Sequence, residues 1–362
     1  GGDQAVVKTV NGYDFYGGIS KGIEKHTRVK SRIIATALLE LVETSENVIV
    51  MGHRASDLDC VGSAVALAQA IRRLGKPAIV AIDRKSSLAS SLITKVSENG
   101  AENLFVHPDV AKDYVSRRTL LIIVDTHNPL FVESNELYKL CKNVVVIDHH
   151  RKMVNYIDNA VIFHHEPFAS STSEMVSELL QYFGDRCRPT REDAEALLSG
   201  IMLDTRNFAI RTGVRTFEAA AYLRRIGADT VAVRKLFSST MDDYQRRSSL
   251  VQNAEIYRNC AIAVSSQNFE DIRIVAPQAA DELLGINEVA ASFVIYNTGG
   301  GISLSARSMG ELNVQVVMEY LGGGGHHTMA GAQLKDVTAE EAKEKLLAAI
   351  DHYYETLASR EQ

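Results

Sequence analysis

The sequence predicts an α/β protein in which a doubly wound, mostly parallel sheet domain precedes a smaller α/β domain. Three observations carry this expectation. From about Asn47 to Arg211, short β-branched runs alternate with helical stretches, the pattern of parallel strands joined by crossover helices. The runs are apolar almost throughout instead of alternating, as strands buried on both faces must be. Beyond Ala261 a second α/β pattern begins, and its roughly 100 residues suit one further domain.

Composition sets the outer limits. The 362 residues are 46% hydrophobic and 23% charged, which supports a packed core and excludes a disordered or fibrous chain. Lys plus Arg number 39 against 45 Asp plus Glu, a net charge of −6. A duplex nucleic acid is held through its phosphates by a basic face, so duplex binding is not expected, whereas small nucleotides remain compatible. No apolar run reaches the roughly 18 residues of a membrane helix. The cysteines Cys60, Cys141, Cys187 and Cys260 are scattered without CxxC spacing, which points to a reducing, cytoplasmic setting. The chain opens on Gly1 with no signal-peptide pattern, and we expect it to be a piece of a longer protein.

The strands are expected at Asn47–Met51, Ala78–Ile82, Leu120–Val124 and Asn143–Ile147. A helix from Val61 to Leu74 ends at Gly75, with Pro77 just beyond. Thr190-Arg-Glu-Asp193 reads as a capping box that opens an apolar helix through Leu203. A charged helical stretch, 216–252, is expected to connect the domains. In the second domain, Ala261–Val264 and Ile302–Arg307 read as strands, and Asn287–Tyr296 and a segment starting near Asn313 as helices.

In a doubly wound sheet the working crevice lies outside the carboxyl ends of the strands. His53, Asp57 and Asp59 follow the first strand, Asp125 and His127 the third, and Asp148, His149 and His150 the fourth. Carboxylates at one helix N-terminus are simply favourable with its dipole, but three such strand ends on one sheet are poorly explained that way. Asp204 then ends the apolar helix, where a carboxylate is costly unless paired or bound to a cation. Four carboxylates and two imidazoles without a thiolate suit two Mn²⁺ or similar ions better than structural Zn²⁺. Two metals roughly 3.5–4 Å apart can bridge a hydroxide and clamp a phosphoryl group for in-line attack. Asp125, from the middle of the sheet, is the candidate bridge. Cys60, beside Asp59, reads as packing, although a thiol there could be oxidation-sensitive. His127 either supports the site or merely ends a strand, and His164 and His165 read as a solvated loop.

The combination of His53-x-x-x-Asp57-x-Asp59, Asp125-Thr-His127, Asp148-His149-His150 and Asp204 resembles the DHH phosphoesterases. Ser305-Ala-Arg-Ser308, Asn313-Val and Gly322-Gly-Gly-Gly-His326 with Ala330-Gly331 resemble the DHH-associated domain that holds substrate. The resemblance implies a catalytic domain over 31–215 and a substrate-binding domain over 253–362. It assigns one metal to His53, Asp57 and Asp125, and the other to Asp59, Asp125, His149 and Asp204. It makes His150 a donor to the phosphate and Asp148 a supporting carboxylate. Glycines permit close backbone approach to a phosphate, and Arg307 can bind one bidentately. The expected substrate contacts are therefore Arg307, Ser308, Gly323, Gly324, Gly325 and His326.

Gly1-Gly-Asp-Gln4 is similar to the strand turn of a GGDEF domain, which makes 1–30 the expected remnant of a degenerate one. That arrangement resembles the membrane-anchored cyclic-di-AMP phosphodiesterases of bacteria. It implies hydrolysis of cyclic-di-AMP to linear 5′-pApA by a metal-bridging hydroxide, at the cytoplasmic face of the membrane, by a homodimer. The alternatives are an enzyme acting on short oligoribonucleotides or pAp, a catalytically silent nucleotide receptor, and an inorganic pyrophosphatase.

Overall fold

A computed structural model describes residues 4–9, 12–17, 28–238, 240–265 and 272–360. The chain divides into two compact units, Gly1–Ser238 and Ser239–Gln362. The first opens with strands β1 (Gln4–Thr9) and β2 (Gly12–Gly17), paired antiparallel. The Gly1–Asp3 turn expected of a GGDEF remnant lies outside the described residues.

The main elements of this unit run α1 (Arg28–Thr44), β3 (Asn47–Met51), α2 (Leu58–Arg73), β4 (Ala78–Ala81), α3 (Ser90–Val96), β5 (Phe105–Val106) and α4 (Pro108–Ala111). They continue with β6 (Thr119–Val124), α5 (Asn135–Leu140), β7 (Asn143–Asp148), β8 (Ile162–His165), α6 (Thr172–Leu180), α7 (Arg191–Asp204), α8 (Val214–Ile226) and α9 (Thr230–Leu236). The sheet order is β5-β4-β3-β6-β7-β8, and every pairing is parallel. Successive strands step one way from β3 and the other way from β6, so the order reverses between these two. That reversal is the switch point where doubly wound sheets place their ligands. Side chains of β3 and β6 alternate between two cores. Val48, Val50, Leu120 and Ile122 pack under α2, α6 and α7, while Ile49, Met51, Leu121 and Ile123 pack on the α4–α5 side. Burial on both faces is why these strands read as unbroken apolar runs.

The second unit runs α10 (Met241–Gln252), β9 (Glu255–Tyr257), β10 (Cys260–Val264), α11 (Ile272–Leu283), β11 (Ala291–Asn297), β12 (Ile302–Ser308), α12 (Val314–Tyr320), β13 (Gly324–Gly325), β14 (Met329–Leu334) and α13 (Ala339–Arg360). Its mixed sheet has the order β13-β14-β12-β11-β10-β9, with β10 and β11 parallel. The stretch 216–252, expected as one connector, contains three helices: α8 and α9 belong to the first unit and α10 to the second.

Two readings are corrected. Asn287–Tyr296 is not a helix: it is a turn leading into the central strand β11. Phe293 and Ile295 enter one core and Val294 and Tyr296 the other, so the run lacks the alternation that marks a half-buried strand. His164 and His165 lie on edge strand β8, not in a solvated loop, and His164 is buried.

Candidate metal centre

Three strand ends and two helices converge at the switch point. His53 stands two residues beyond β3, and its Nε2 is 3.4 Å from Asp125 Oδ2. Asp57 adopts extended backbone and caps α2, its Oδ1 accepting the amides of Asp59 at 2.9 Å and Cys60 at 3.1 Å. A carboxylate is favoured at this end of a helix by both the cap and the dipole, and one of its oxygens stays free of that cap. Asp59, two residues on, is fully buried. Its two oxygens accept the amides of Thr172 and Ser173, each at 2.8 Å, at the start of α6.

Asp125 directly follows β6 with a φ of +61°, a left-handed backbone uncommon outside glycine and asparagine. Its amide donates to Ile147 O on β7, and its carboxylate accepts from Thr172 Oγ1 at 3.1 Å. His149 Nε2 lies 3.5 Å from Asp125 Oδ1, 3.0 Å from Asp204 Oδ2 and 3.9 Å from Asp59 Oδ2. Asp204 arrives as the last residue of α7, whose start carries the capping box between Thr190 and Asp193. The structure thus brings His53, Asp59, Asp125, His149, His150 and Asp204 together around one carboxylate. Asp57 adds its charge beside Asp125 and Asp204.

Electrostatics show what the cluster needs. Burial, then the neighbouring Asp125 and Asp204, push the Asp57 carboxyl up to about 6. Burial and the same two neighbours raise Asp59 well above the usual carboxylate range. Burial would raise Asp125 too, but the contacts with His149 and His53 hold it below that range. Both ring nitrogens of His149 are buried, and Nε2 is crowded by Asp204 and Asp125 oxygens without meeting hydrogen-bond geometry to either. Crowded buried carboxylates and an imidazole without hydrogen bonds are a costly arrangement for a bare protein. Divalent cations would relieve both, and the oxygen and nitrogen donors suit them.

Behind the cluster, Asp148 joins two histidines. Its Oδ1 takes His150 Nδ1 at 2.8 Å, and its Oδ2 contacts His127 Nδ1. His127 is buried and its Nε2 accepts the Met153 amide at 2.9 Å. The acceptor role at Nε2 puts the proton on Nδ1, toward Asp148, so His127 is tied to the carboxylate that also holds His150. His150 is half-exposed, so its ring is both anchored and reachable.

In the second unit, Arg307 near the end of β12 is mostly buried, with Nε 3.2 Å from Asp281 Oδ1 on α11. Ser308 is fully buried. Its hydroxyl donates to Leu312 O at 2.6 Å and accepts the Gly310 amide, so it closes a turn. Of the glycines, Gly323 and Gly325 allow β14 to approach: a Cβ at 323 would lie 2.2 Å from Gly331 O, and one at 325 would lie 2.5 Å from Met329 O. Gly324 faces open space and His326 is exposed.

Sequence reasoning missed Thr172 and Ser173, although the run Ser170-Ser171-Thr172-Ser173 before an apolar helix is a visible cap signal.

A switch-point cluster of carboxylates and imidazoles that could hold metal ions, on a parallel sheet followed by a second α/β unit, defines the class of protein. Residues 47–201 match the DHH family N-terminal domain and residues 261–356 the DHHA1 domain. The chain belongs to the DHH family. It is 43% identical over 361 residues to the cyclic-di-AMP phosphodiesterase PdeA of Listeria monocytogenes, covering 98% of this chain and 55% of that protein. It is likewise 43% identical over 364 residues to the cyclic-di-AMP phosphodiesterase GdpP of Bacillus subtilis, again covering 98% of this chain and 55% of that protein. The chain therefore spans about half the length of these curated relatives. The fold is shared with an exopolyphosphatase-related protein from Bacteroides fragilis, at a TM-score of 0.74 and 19% identity, covering 94% of this chain and all of that one.

Proposed function

We propose that the chain is a two-cation phosphodiesterase that opens cyclic-di-AMP to linear 5′-pApA, with Mn²⁺ as the metal. One cation is assigned to His53, Asp57 and Asp125, the other to Asp59, Asp125, His149 and Asp204. The observation that carries this reading is the convergence of these residues on Asp125, in a chain 43% identical over 98% of its length to cyclic-di-AMP phosphodiesterases. Two such cations, when bound, neutralise phosphoryl charge and acidify an attacking water.

The chain's own groups do the rest. Asp125, held by the Thr172 hydroxyl and by its backbone bond to β7, would serve as a ligand to both cations. The α6 amides fix Asp59 so that its carboxylate need not reorganise. His150, steered by Asp148, donates to a non-bridging phosphate oxygen, where charge grows in the transition state. Burial opposes charge on His150, but Asp148 and Asp125 raise its affinity for a proton, which keeps the donor available. One water is consumed, the bond from phosphorus to the ribose 3′-oxygen breaks, and that oxygen takes the proton. In the second unit, Arg307, the open Gly324 backbone and His326 are the proposed contacts to the second phosphate and base, and remote binding of this kind orients the reacting phosphorus. Asp281 presets the Arg307 fork. Ser308, Gly323 and Gly325 act by shaping the loops that carry these contacts.

The same reading places the parent protein at the cytoplasmic face of the cell membrane as a homodimer, with 1–30 the end of a degenerate GGDEF domain. No helix among the described residues is long and apolar enough to cross a membrane.

The test is a product profile with Mn²⁺ on cyclic-di-AMP, cyclic-di-GMP, pApA and pAp given separately. Accumulation of pApA from cyclic-di-AMP is expected. Release of AMP from pApA or pAp, with the cyclic substrate untouched, would reassign the chain to enzymes of short linear nucleotides.

A further inference from the structure

Cys60 differs from the other cysteines. Cys141, Cys187 and Cys260 each belong to an apolar core cluster. Cys60 is only 2% exposed, yet it joins none of these clusters among the described residues. Its sulfur instead forms a group with a ring nitrogen of His53 and a carboxylate oxygen of Asp125, all within 4.8 Å of one another. The backbone is arranged to leave room for it, since a Cβ on Gly52 would come within 1.9 Å of that sulfur. The Cys60 amide, meanwhile, helps bind Asp57 Oδ1. One residue thus steadies one proposed ligand through its main chain and faces two others through its side chain. On the other side of the same Asp125, His149 has both ring nitrogens buried outside hydrogen-bond geometry, with Nε2 3.5 Å from Asp125 Oδ1 and 3.0 Å from Asp204 Oδ2, a donor set aimed at the neighbouring position.

We propose that Cys60 is a sulfur ligand of the cation held by His53 and Asp125, and that it tilts this position toward softer divalent ions such as Zn²⁺, Cd²⁺ and Co²⁺. The inference rests on the two-cation reading above and adds to it. Thiolate donors select softer metals, whereas carboxylate oxygens suit Mn²⁺. The second position, with Asp59, His149 and Asp204, has no sulfur within its group. The two positions are therefore chemically unequal, one mixed with sulfur and one purely oxygen and nitrogen. Binding releases the thiol proton to solvent and forms one sulfur–metal bond, with no change of oxidation state.

The experiment titrates the purified full chain with Co²⁺. Near-ultraviolet absorption reads sulfur-to-cobalt charge transfer, and equilibrium dialysis counts bound metal. The unsubstituted chain is expected to bind two Co²⁺ and to show the charge-transfer band for one of them. Cys60→Ser is expected to keep both ions, lose the band, and lower the preference for Cd²⁺ over Mn²⁺ by about tenfold. Cadmium NMR of the unsubstituted chain reads sulfur ligation directly, without relying on the variant's folding. Two bound Co²⁺ with no sulfur signature, or a band that survives Cys60→Ser, overturns the assignment of Cys60 and leaves the two-cation reading standing. Absence of any bound Co²⁺ overturns both.

Discussion

Asp148 shows how much a single buried carboxylate organises. Burial alone would raise it, but contacts with His127 and His150 pull it well below the ordinary range. It stays charged and acts as the post between a buried histidine and the half-exposed His150. Its amide analogue at the same size would turn the His150 ring loose without removing a metal-facing group. Asp148→Asn is therefore expected to lower kcat by about 10- to 100-fold with bound metal unchanged. A variant with normal kcat would remove His150 positioning from the mechanism. Glu195 offers a residue-scale contrast away from the site. Burial opposes its ionisation, but Lys95 Nζ at 2.5 Å and Arg191 Nε at 2.9 Å hold the carboxyl below its usual range. A carboxyl lowered on folding stabilises the native state above its unfolded value, about 4.3, and loses that effect as pH falls through the folded value. Glu195→Gln should cost about 1 kcal/mol at neutral pH, and the gap to the parent chain should close on acidification. Denaturant unfolding at pH 7 and pH 4 reads this, and a gap that widened in acid would contradict it.

At the level of elements, the site depends on how closely α7 approaches α2 and the start of α6. Gly200 of α7 faces both: a Cβ there would lie 2.2 Å from Ser173 Oγ and 2.6 Å from Asp59 Oδ1. Asp59 Oδ1 is the oxygen that the Ser173 amide holds, and Ser173 Oγ donates to Asp59 O, so the close helix packing also positions a proposed metal ligand. Gly200→Ala removes no ligand, yet it must push α7 outward or displace Asp59. Overpacking of this kind costs about 1–3 kcal/mol, and metal affinity is expected to fall with it. Thermal unfolding and a Mn²⁺ binding isotherm on the same variant measure the two effects. Unchanged values in both would mean that the helices slide without strain.

For the whole molecule, every residue assigned to the proposed cations belongs to the first unit, Gly1–Ser238, and none to Ser239–Gln362. Ligand binding stabilises only the unit that binds, by about 2.7 kcal/mol at a hundredfold excess over Kd. Mn²⁺ is therefore expected to raise the unfolding of the first unit and leave that of the second in place, with chelation reversing the shift. Calorimetry with and without chelator checks it; an equal shift of both transitions would show that the units unfold together.

Much of this architecture is written locally. Strands buried on both faces need uninterrupted apolar runs, so β3, β6 and β7 and the Asp and His residues just beyond them stand out, as does the Thr190–Asp193 cap. The order of the sheet, and hence the switch point between β3 and β6, does not appear in any run of residues. Neither does the pairing of Asp59 with amides 113 and 114 positions away, nor the meeting of His127 with Asp148. His164 on β8 was lost for the same reason, whereas β11 reads as a helix because its burial between two cores removes the alternation of a half-buried strand. The sequence by itself determined which side chains stand at strand ends, because burial imposes a short-range pattern on the chain. Only the tertiary structure decided which of them face one another, because hydrogen bonds and electrostatic contacts between distant segments depend on the order in which strands and helices pack.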